Sequence, residues 1–162
     1  MLPFSFRTVL TASATVDSAL TIDLSAAASV AAERIRVSED PLFLREDFDD
    51  LGDAEAVDAV LERLREAEVI LPVSDGVYAR TSYSEIWGKI LPEESVVLIA
   101  RRYAERVGAR LVPTRSDRAY LAGRSTQVAT GRVIGVDRPI AKRFGLGADK
   151  SIRFEYVRGR GR

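Results

Sequence analysis

The chain has 162 residues, of which 46% are hydrophobic and 30% are charged, a composition typical of a folded globular protein. Cysteine and histidine are both absent, which excludes disulfides, thiolate metal sites, cysteine nucleophiles and histidine acid–base catalysis. The formal net charge is zero, but residues 1–80 hold 7 basic and 16 acidic residues (net −9), whereas residues 81–162 hold 17 and 8 (net +9).

These counts set the first expectations about function. Without cysteine or histidine we expect no enzyme, no catalytic residues, no cofactor and no metal. The charge asymmetry favours either two parts that attract each other or a basic half that faces a polyanion. Two solvated faces without a partner would also fit.

Residues 1–25 form an N-terminal arm to which we assign no fold, because residues 1–24 show no clean period and fit either a loose hairpin or a mobile arm. The first 24 residues lack the basic region of a secretory signal, and no apolar run approaches the roughly 20 residues of a membrane span. We therefore expect a cytoplasmic protein without membrane contact.

A helix, a short strand and a second helix open the first predicted domain. Residues 26–37 are rich in alanine at helical spacing, and Pro41 ends this helix because proline cannot continue the hydrogen-bond ladder. Residues 42–44 predict a short strand that pairs with the later hairpin, and residues 45–51 predict a second helix closed by Gly52.

A third helix and a hairpin complete this domain. Asp53 is a good N-cap for a helix over residues 54–67, whose apolar side chains form a single stripe. Residues 69–79 predict two strands joined by a turn at Asp75-Gly76. This order predicts a winged helix-turn-helix over residues 26–80, a module whose helix usually meets DNA.

The second half predicts a small α/β domain over residues 81–157, followed by a basic tail at residues 158–162. Residues 81–91 should link the halves, and the side chains of Tyr83, Ile86 and Trp87 should pack where the halves meet. The elements expected next are a helix from Pro92 to Val107, a strand at residues 111–113, a helix over residues 116–121 capped by Ser116, and strands over residues 131–136, 140–144 and 151–157. The expected fold class is α+β, with a short, mostly antiparallel sheet in the second domain.

Two groups of carboxylates and one polar loop are explained better by structural roles than by chemistry. The first group consists of Asp47, Asp49, Asp50 and Asp53. Its spacing does not match a calcium loop, and Asp53 already has a capping role. Glu62 and Glu66 lie one turn apart on an amphipathic helix, which indicates a solvated face. The side chains of residues 125–127 could hold a ligand, but bonding to their own loop backbone is commoner.

Phosphate contacts are predicted for four arginines of the first domain, since Lys and Arg neutralise phosphates. These are Arg45 before the second helix, Arg63 and Arg65 on the third, and Arg80 beside the hairpin. The third helix is otherwise acidic, and its charge alone favours packing or protein binding. A polyanion or partner face could also be formed by the arginines of the second half, namely Arg101, Arg102, Arg106, Arg110, Arg115, Arg118, Arg124 and Arg132.

Particular motifs resemble those of a known family. In the first half they are Asp47-Phe48 and Leu51-Gly52 before the long helix, Ala56-Val57 and Leu61–Leu64 within it, and Gly76-Val77-Tyr78 in the hairpin. In the second half they are Arg110–Pro113 and Gly123–Gln127, followed by Val133 and Arg153-Phe154. Over about residues 26–157 the chain resembles the AbiEi-like antitoxins of type IV toxin-antitoxin systems.

The resemblance implies a bacterial, DNA-binding transcriptional regulator that represses its own promoter through the winged helix. It also implies that the second domain counteracts a nucleotidyltransferase-like toxin, the functional partner. The alternative is a protein-interaction module whose acidic winged helix docks on a basic partner or on another copy, without DNA binding. A homo-oligomer is compatible with both readings.

Overall fold

The structure, a computed structural model, describes residues 17–159, with side chains from residue 25 onward. In chain order its elements are α1 (Asp17–Val37), β1 (Leu42–Leu44), a 3-10 helix (Arg45–Leu51), α2 (Ala54–Glu66), β2 (Ile70–Ser74), β3 (Val77–Ser84), β4 (Lys89–Pro92), α3 (Val96–Arg106), α4 (Arg115–Leu121), β5 (Val133–Val136) and β6 (Arg153–Tyr156). The fold is therefore mixed α and β. Most of the predicted arm, residues 1–16, and the last three residues of the predicted basic tail lie outside the described residues.

Helix α1 begins earlier than the sequence pattern predicts. The pattern predicts a start at residue 26, whereas the helix begins at Asp17. Residues 17–37 contain neither glycine nor proline, so nothing interrupts the backbone ladder before Pro41. The part of the arm from residue 17 onward is therefore helical rather than part of a hairpin.

Helix α2 forms as predicted, and the helix before it is tighter than expected. The Asp53 side chain accepts a hydrogen bond from the Ala56 backbone N–H at 2.9 Å, which confirms the predicted cap. The predicted second helix is a 3-10 helix, not an α-helix. Gly52, which follows it, has a φ of 151°, and a Cβ there would lie 2.8 Å from the Ala56 Cβ. This close approach requires glycine between the two helices.

Loss of this cap should lower stability by a modest amount. We expect Asp53→Ala to reduce the free energy of unfolding by about 1 kcal/mol, because the Ala56 N–H would lose its acceptor at the helix end. Asp53→Asn keeps a side-chain acceptor and is the matched control. Urea unfolding of both variants checks this, and an asparagine variant as unstable as the alanine variant would contradict the capping role.

The main sheet is antiparallel and has β3 at its centre. Strand β1 and strand β2 pair with opposite edges of β3, and the turn between β2 and β3 lies at Asp75-Gly76 as predicted. The far half of β3 pairs instead with β4, from Thr81 opposite Pro92 to Ser84 opposite Lys89. Strand β3 is therefore long enough to belong to two successive hairpins.

The prediction that residues 81–91 pack between two domains is wrong. These residues form the β3–β4 hairpin, and the side chains at its end are exposed by 62% at Tyr83, 88% at Ile86 and 70% at Trp87. The cause is the continuation of β3 to Ser84, which carries the turn away from both hydrophobic cores. Gly88, with a φ of 61°, helps to close this turn.

The second sheet also differs from its prediction. Strands β5 and β6 are parallel, from Val133 opposite Arg153 to Val136 opposite Tyr156, whereas the prediction has a mostly antiparallel sheet in the second domain. The β3–β4 pair and the two isolated bridges within residues 81–157 are antiparallel and agree with that prediction. The 16 intervening residues return the chain to the start of β5 before β6 begins, which a parallel pair requires. The strands predicted at residues 111–113 and 140–144 are reduced to single antiparallel bridges, Leu111 with Val136 and Phe144 with Ile152.

Both helices of the second half start at positions other than those predicted. Helix α3 begins at Val96 rather than Pro92, because Pro92 still pairs in β4 and Ser95 caps the helix. Helix α4 is capped by Thr114 and not by Ser116. Within residues 17–159, none of the helices combines the length and the apolarity that crossing a bilayer requires.

Two hydrophobic cores hold these elements together. The smaller packs α1, the 3-10 helix and α2 around Phe48. The larger joins β1, β2 and β3 to α3, β5 and Phe144. Ser74 adds a polar link, since its hydroxyl donates to the Arg143 carbonyl at 2.7 Å. The predicted boundary at residues 80 and 81 falls inside β3, and the larger core contains residues from both sides of it.

Candidate nucleic-acid interface

Arg45, the first of the predicted phosphate contacts, is held by acidic neighbours. Its Nε donates to Asp58 of α2 at 2.7 Å, and a second guanidinium nitrogen lies 3.8 Å from Asp49. It also donates to the Ala54 carbonyl at 3.0 Å. The hydrogen bond from Arg45 lowers the pKa of Asp58, as expected for a carboxylate stabilised in its charged form. Arg45 therefore joins the 3-10 helix to α2 and already has a counter-ion.

Arg65 and Arg80 are also engaged within the chain. Arg65 forms a two-pronged ion pair with Glu62 one turn earlier on α2, which lowers the pKa of Glu62. Arg80 is only 18% exposed at its side chain and pairs with Glu93. Its guanidinium also donates to the carbonyl of Ile35 at the end of α1, at 2.9 Å. These contacts give Arg80 a structural role.

Arg63 is the predicted contact that remains available. Its side chain is exposed on α2, and it has no ion pair or hydrogen bond with any side chain between residues 25 and 159. The same helix exposes Glu55 and Glu66. Of the four arginines predicted for the first half, one could thus meet a phosphate without first breaking an ion pair.

The eight arginines predicted in the second half fall into two equal groups. Four have carboxylate partners: Arg102 with Glu94, Arg106 with Asp47, Arg110 with Asp137 and Arg115 with Glu155. The other four are exposed and have no carboxylate within ion-pair distance in the part of the chain whose side chains are described, and they are Arg101, Arg118, Arg124 and Arg132. We call this second group the unpaired arginines.

A groove of about 440 Å³ lies beside Arg101, one of the unpaired arginines. Arg101 of α3, with Asp117 and Tyr120 of α4, supplies its polar lining. The rest is mostly apolar and comprises Leu111, Val112, Pro113, Leu121, Val133, Ile134 and Gly135. Hydrogen bonds from Thr114, aided by the charge of Arg101, lower the pKa of Asp117. Arg118 lies on α4, Arg124 follows that helix and Arg132 directly precedes β5. Of the four, Arg101 alone contributes to the lining of the groove.

The remaining candidate sites have structural partners. Asp47 accepts from the Leu44 N–H at 2.8 Å and pairs with Arg106, and Asp50 pairs with Arg34 at 2.7 Å. No cluster that could hold a metal ion occurs among the described side chains. In the loop at residues 125–127 the Ser125 hydroxyl accepts from the Gln127 N–H at 3.2 Å, the local bonding expected for such a loop.

Sequence reasoning did not find the groove. Its lining comes from three separate segments, α3, residues 111–121 and β5, and no local pattern marks them as neighbours. The one signal in this region was Gly135. A Cβ at this position would lie 2.1 Å from the Val112 carbonyl oxygen, so the two backbones approach as closely as glycine permits.

Comparison with protein families gives one match. A model described as a family of unknown function (DUF6088) matches residues 31–156. The match begins within α1 and ends with β6, so it includes both cores and the groove. Comparisons with curated proteins and with solved structures found no significant match.

Proposed function

The chain belongs to the DUF6088 family of unknown function, and from its geometry together with its motif resemblance we propose that it is a DNA-binding transcriptional regulator of the antitoxin type. In this proposal residues 26–80 are a winged helix-turn-helix, the chain represses its own promoter, and a nucleotidyltransferase-like toxin is its functional partner. The protein acts in the cytoplasm of a bacterium. The toxin and the promoter follow from the motif resemblance to AbiEi-like antitoxins.

The order and packing of the first elements carry the proposal. Helix α1 packs on α2 through Ala31 and Ile35, and the 3-10 helix completes this layer through Phe48. Strands β2 and β3 follow as a hairpin, and β1 pairs along β3. Three helices followed by a hairpin, with a short strand before the second helix, are the arrangement expected of a winged helix.

The distribution of ion pairs reduces the number of arginines that are candidates for contacting DNA. A phosphate contact requires a side-chain cation that is free to displace the small counter-ions condensed on the DNA backbone. Arg45, Arg65 and Arg80 already have carboxylate partners, so we retain Arg63 from the first half. We add the unpaired arginines Arg101, Arg118, Arg124 and Arg132, which supply the positive charge that α2 lacks.

Two arginines on the same helix provide a matched test. We expect Arg63→Ala to weaken binding to the DNA upstream of the chain's own gene by on the order of tenfold at low salt, since a free phosphate contact is lost. Arg65→Ala should weaken it less, because Arg65 must first leave Glu62. Gel-shift titrations measure both affinities. Equal losses, or a larger loss for Arg65→Ala, would contradict the assignment.

The acidic surface of α2 favours a second candidate function. Asp58 and Glu62 are paired with arginines, while Glu55 and Glu66 are exposed on the same helix. We propose as the alternative a protein-interaction module in which this acidic face docks on a basic partner or on the basic half of another copy. Light scattering across a salt gradient separates the candidates, because an assembly held by opposite charges should dissociate as the salt concentration rises. A salt-insensitive monomer would eliminate the alternative for copies of this chain.

A further inference from the structure

The end of the β3–β4 hairpin presents large apolar side chains to solvent. We define the hairpin tip as Tyr83, Glu85, Ile86, Trp87 and Lys89. Its three apolar members are each more than 60% exposed, and Ile86 reaches 88%. The turn is nevertheless an ordered one, because Tyr83 lies opposite Ile90 across the hairpin and the Trp87 N–H lies 3.4 Å from the Ser84 hydroxyl oxygen.

Such a cluster is typical of an interface rather than of a free surface. Single exposed apolar residues are ordinary, but adjacent large ones in one patch mark sites where another molecule binds. Tryptophan and tyrosine are also the residues most enriched among the dominant contacts of protein interfaces. The hairpin tip has both, on a turn that adds nothing to either core.

The charges of the tip indicate what the other molecule is. Glu85 directly follows β3 and Lys89 begins β4, so the two charged residues flank Ile86 and Trp87 along the turn, and both are exposed. Neither has an ion-pair partner among the side chains of residues 25–159. The tip is therefore electrically neutral, which does not suit a nucleic acid, whose binding depends on a surplus of basic groups. A two-fold axis through the apolar centre would instead set each Glu85 opposite a Lys89.

We propose that the hairpin tip is a homodimer interface and that its occupant is a second copy of this chain. In a two-fold interface each surface meets itself, so residue i contacts residue j and j contacts i. Trp87 and Ile86 of the two copies pack at the centre, and Glu85 of each copy pairs with Lys89 of the other. The contact is small and belongs with weak, concentration-dependent interfaces. It does not rest on DNA binding.

The first test measures association of the full chain by light scattering over a concentration series. The wild type should pass from monomer to dimer as concentration rises, and Trp87→Ala should remain a monomer over the same range. Leu98→Ala removes another exposed apolar side chain, on α3, and should dimerise like the wild type. A wild type that stays monomeric at every concentration would overturn the proposal.

Charge reversal tests the two-fold geometry itself. Glu85→Lys and Lys89→Glu should each weaken the dimer, because like charges would then meet twice. The double variant, Glu85→Lys with Lys89→Glu, should restore association, since every pair is again of opposite sign. A double variant as weak as the single ones would contradict the two-fold arrangement. Circular dichroism verifies that all the variants are folded.

Trp87 is also the single tryptophan of the chain, so its fluorescence reports on the tip alone. Burial in the dimer should shift its emission to shorter wavelengths as the concentration rises. A shift seen only when upstream DNA is added to a monomer would assign the tip to DNA and overturn the dimer. If Arg63→Ala loses DNA binding but keeps the concentration-dependent shift of the Trp87 emission, the dimer proposal is supported independently of DNA binding.

Discussion

Replacing Phe48 with alanine should lower the free energy of unfolding by about 3–5 kcal/mol. Phe48 is fully buried at the centre of the smaller core, where α1, the 3-10 helix and α2 meet. Its ring lies 6.2 Å from that of Phe43, and the Arg34 guanidinium lies 5.7 Å from its centre. Truncation would lose the transfer energy of the ring and leave a cavity that three separate elements line, so the site has little freedom to collapse.

Phe48→Leu is the matched control for this substitution. Leucine keeps most of the apolar volume, and we expect a loss well below that of the alanine variant. Urea unfolding followed by circular dichroism measures both. Because two cores exist, the same experiment shows whether they unfold together. A loss below about 1 kcal/mol for Phe48→Ala would mean that the helices of the first half do not pack around this ring.

Gly135→Ala should be the second most damaging change, with an expected loss of about 3 kcal/mol, near the top of the range for overpacking. The new Cβ would lie 2.1 Å from the Val112 carbonyl oxygen and 3.0 Å from the Thr114 nitrogen. Both are backbone atoms, so the clash cannot be relieved by rotation of a side chain. The segment at residues 111–114 would have to move away from β5, and the hydrogen bond from the Val112 N–H to the Gly135 carbonyl, 2.9 Å long, would be lost.

Gly159→Ala controls for the loss of a glycine as such. Gly159 has no left-handed backbone angle, and a Cβ there meets nothing within 4 Å. We expect this variant to be as stable as the wild type in thermal unfolding. Gly135→Ala should also change the groove, whose lining includes Gly135 and Val112. A Gly135→Ala protein with wild-type stability would show that β5 does not lie against residues 111–114.

The first half was largely predictable because its signals are local. The apolar stripe of α2, the Asp53 cap and the Asp75-Gly76 turn each depend on residues a few positions apart, and the structure confirms all three. The strand at residues 42–44 required one longer inference, that it would pair with the later hairpin, and this is also confirmed. In the first half the hydrophobic pattern, the helix cap and the turn residues all favour the same elements, so these elements can be predicted from the sequence.

The second half was harder because its structure depends on distant partners. Strand β5 pairs in parallel with β6, and Phe144 forms a single bridge. Both depend on the path of the 16 residues between the two strands, and no local sequence periodicity predicts that path. The exposure of Trp87 was missed for a related reason. A tryptophan usually marks a core, and the extension of β3 beyond residue 80 was not evident from its polar sequence.

The candidate site shows the same limit. The arginines could be read from the sequence, but not their availability, because their carboxylate partners lie far along the chain. Asp58 is 13 residues from Arg45, and Asp47 is 59 residues from Arg106. Ion pairing removes three of the four predicted contacts of the first half from consideration. The structure is needed to separate the unpaired arginines from the paired ones, and it leaves Arg63 and the unpaired arginines as the predicted phosphate contacts.

A salt-dependent titration tests most directly the claim that Arg63 and the unpaired arginines carry DNA binding. The affinity for fluorescently labelled upstream DNA is measured by anisotropy at several salt concentrations. For wild type, five phosphate contacts predict a slope of log affinity against log salt of about −4 to −5. Alanine at Arg101, Arg118, Arg124 and Arg132 together should reduce the slope to about −1, whereas alanine at the paired residues Arg110 and Arg115 should change it little. A wild type that does not bind at low salt, or a slope that the four substitutions leave unchanged, would contradict DNA binding through these arginines.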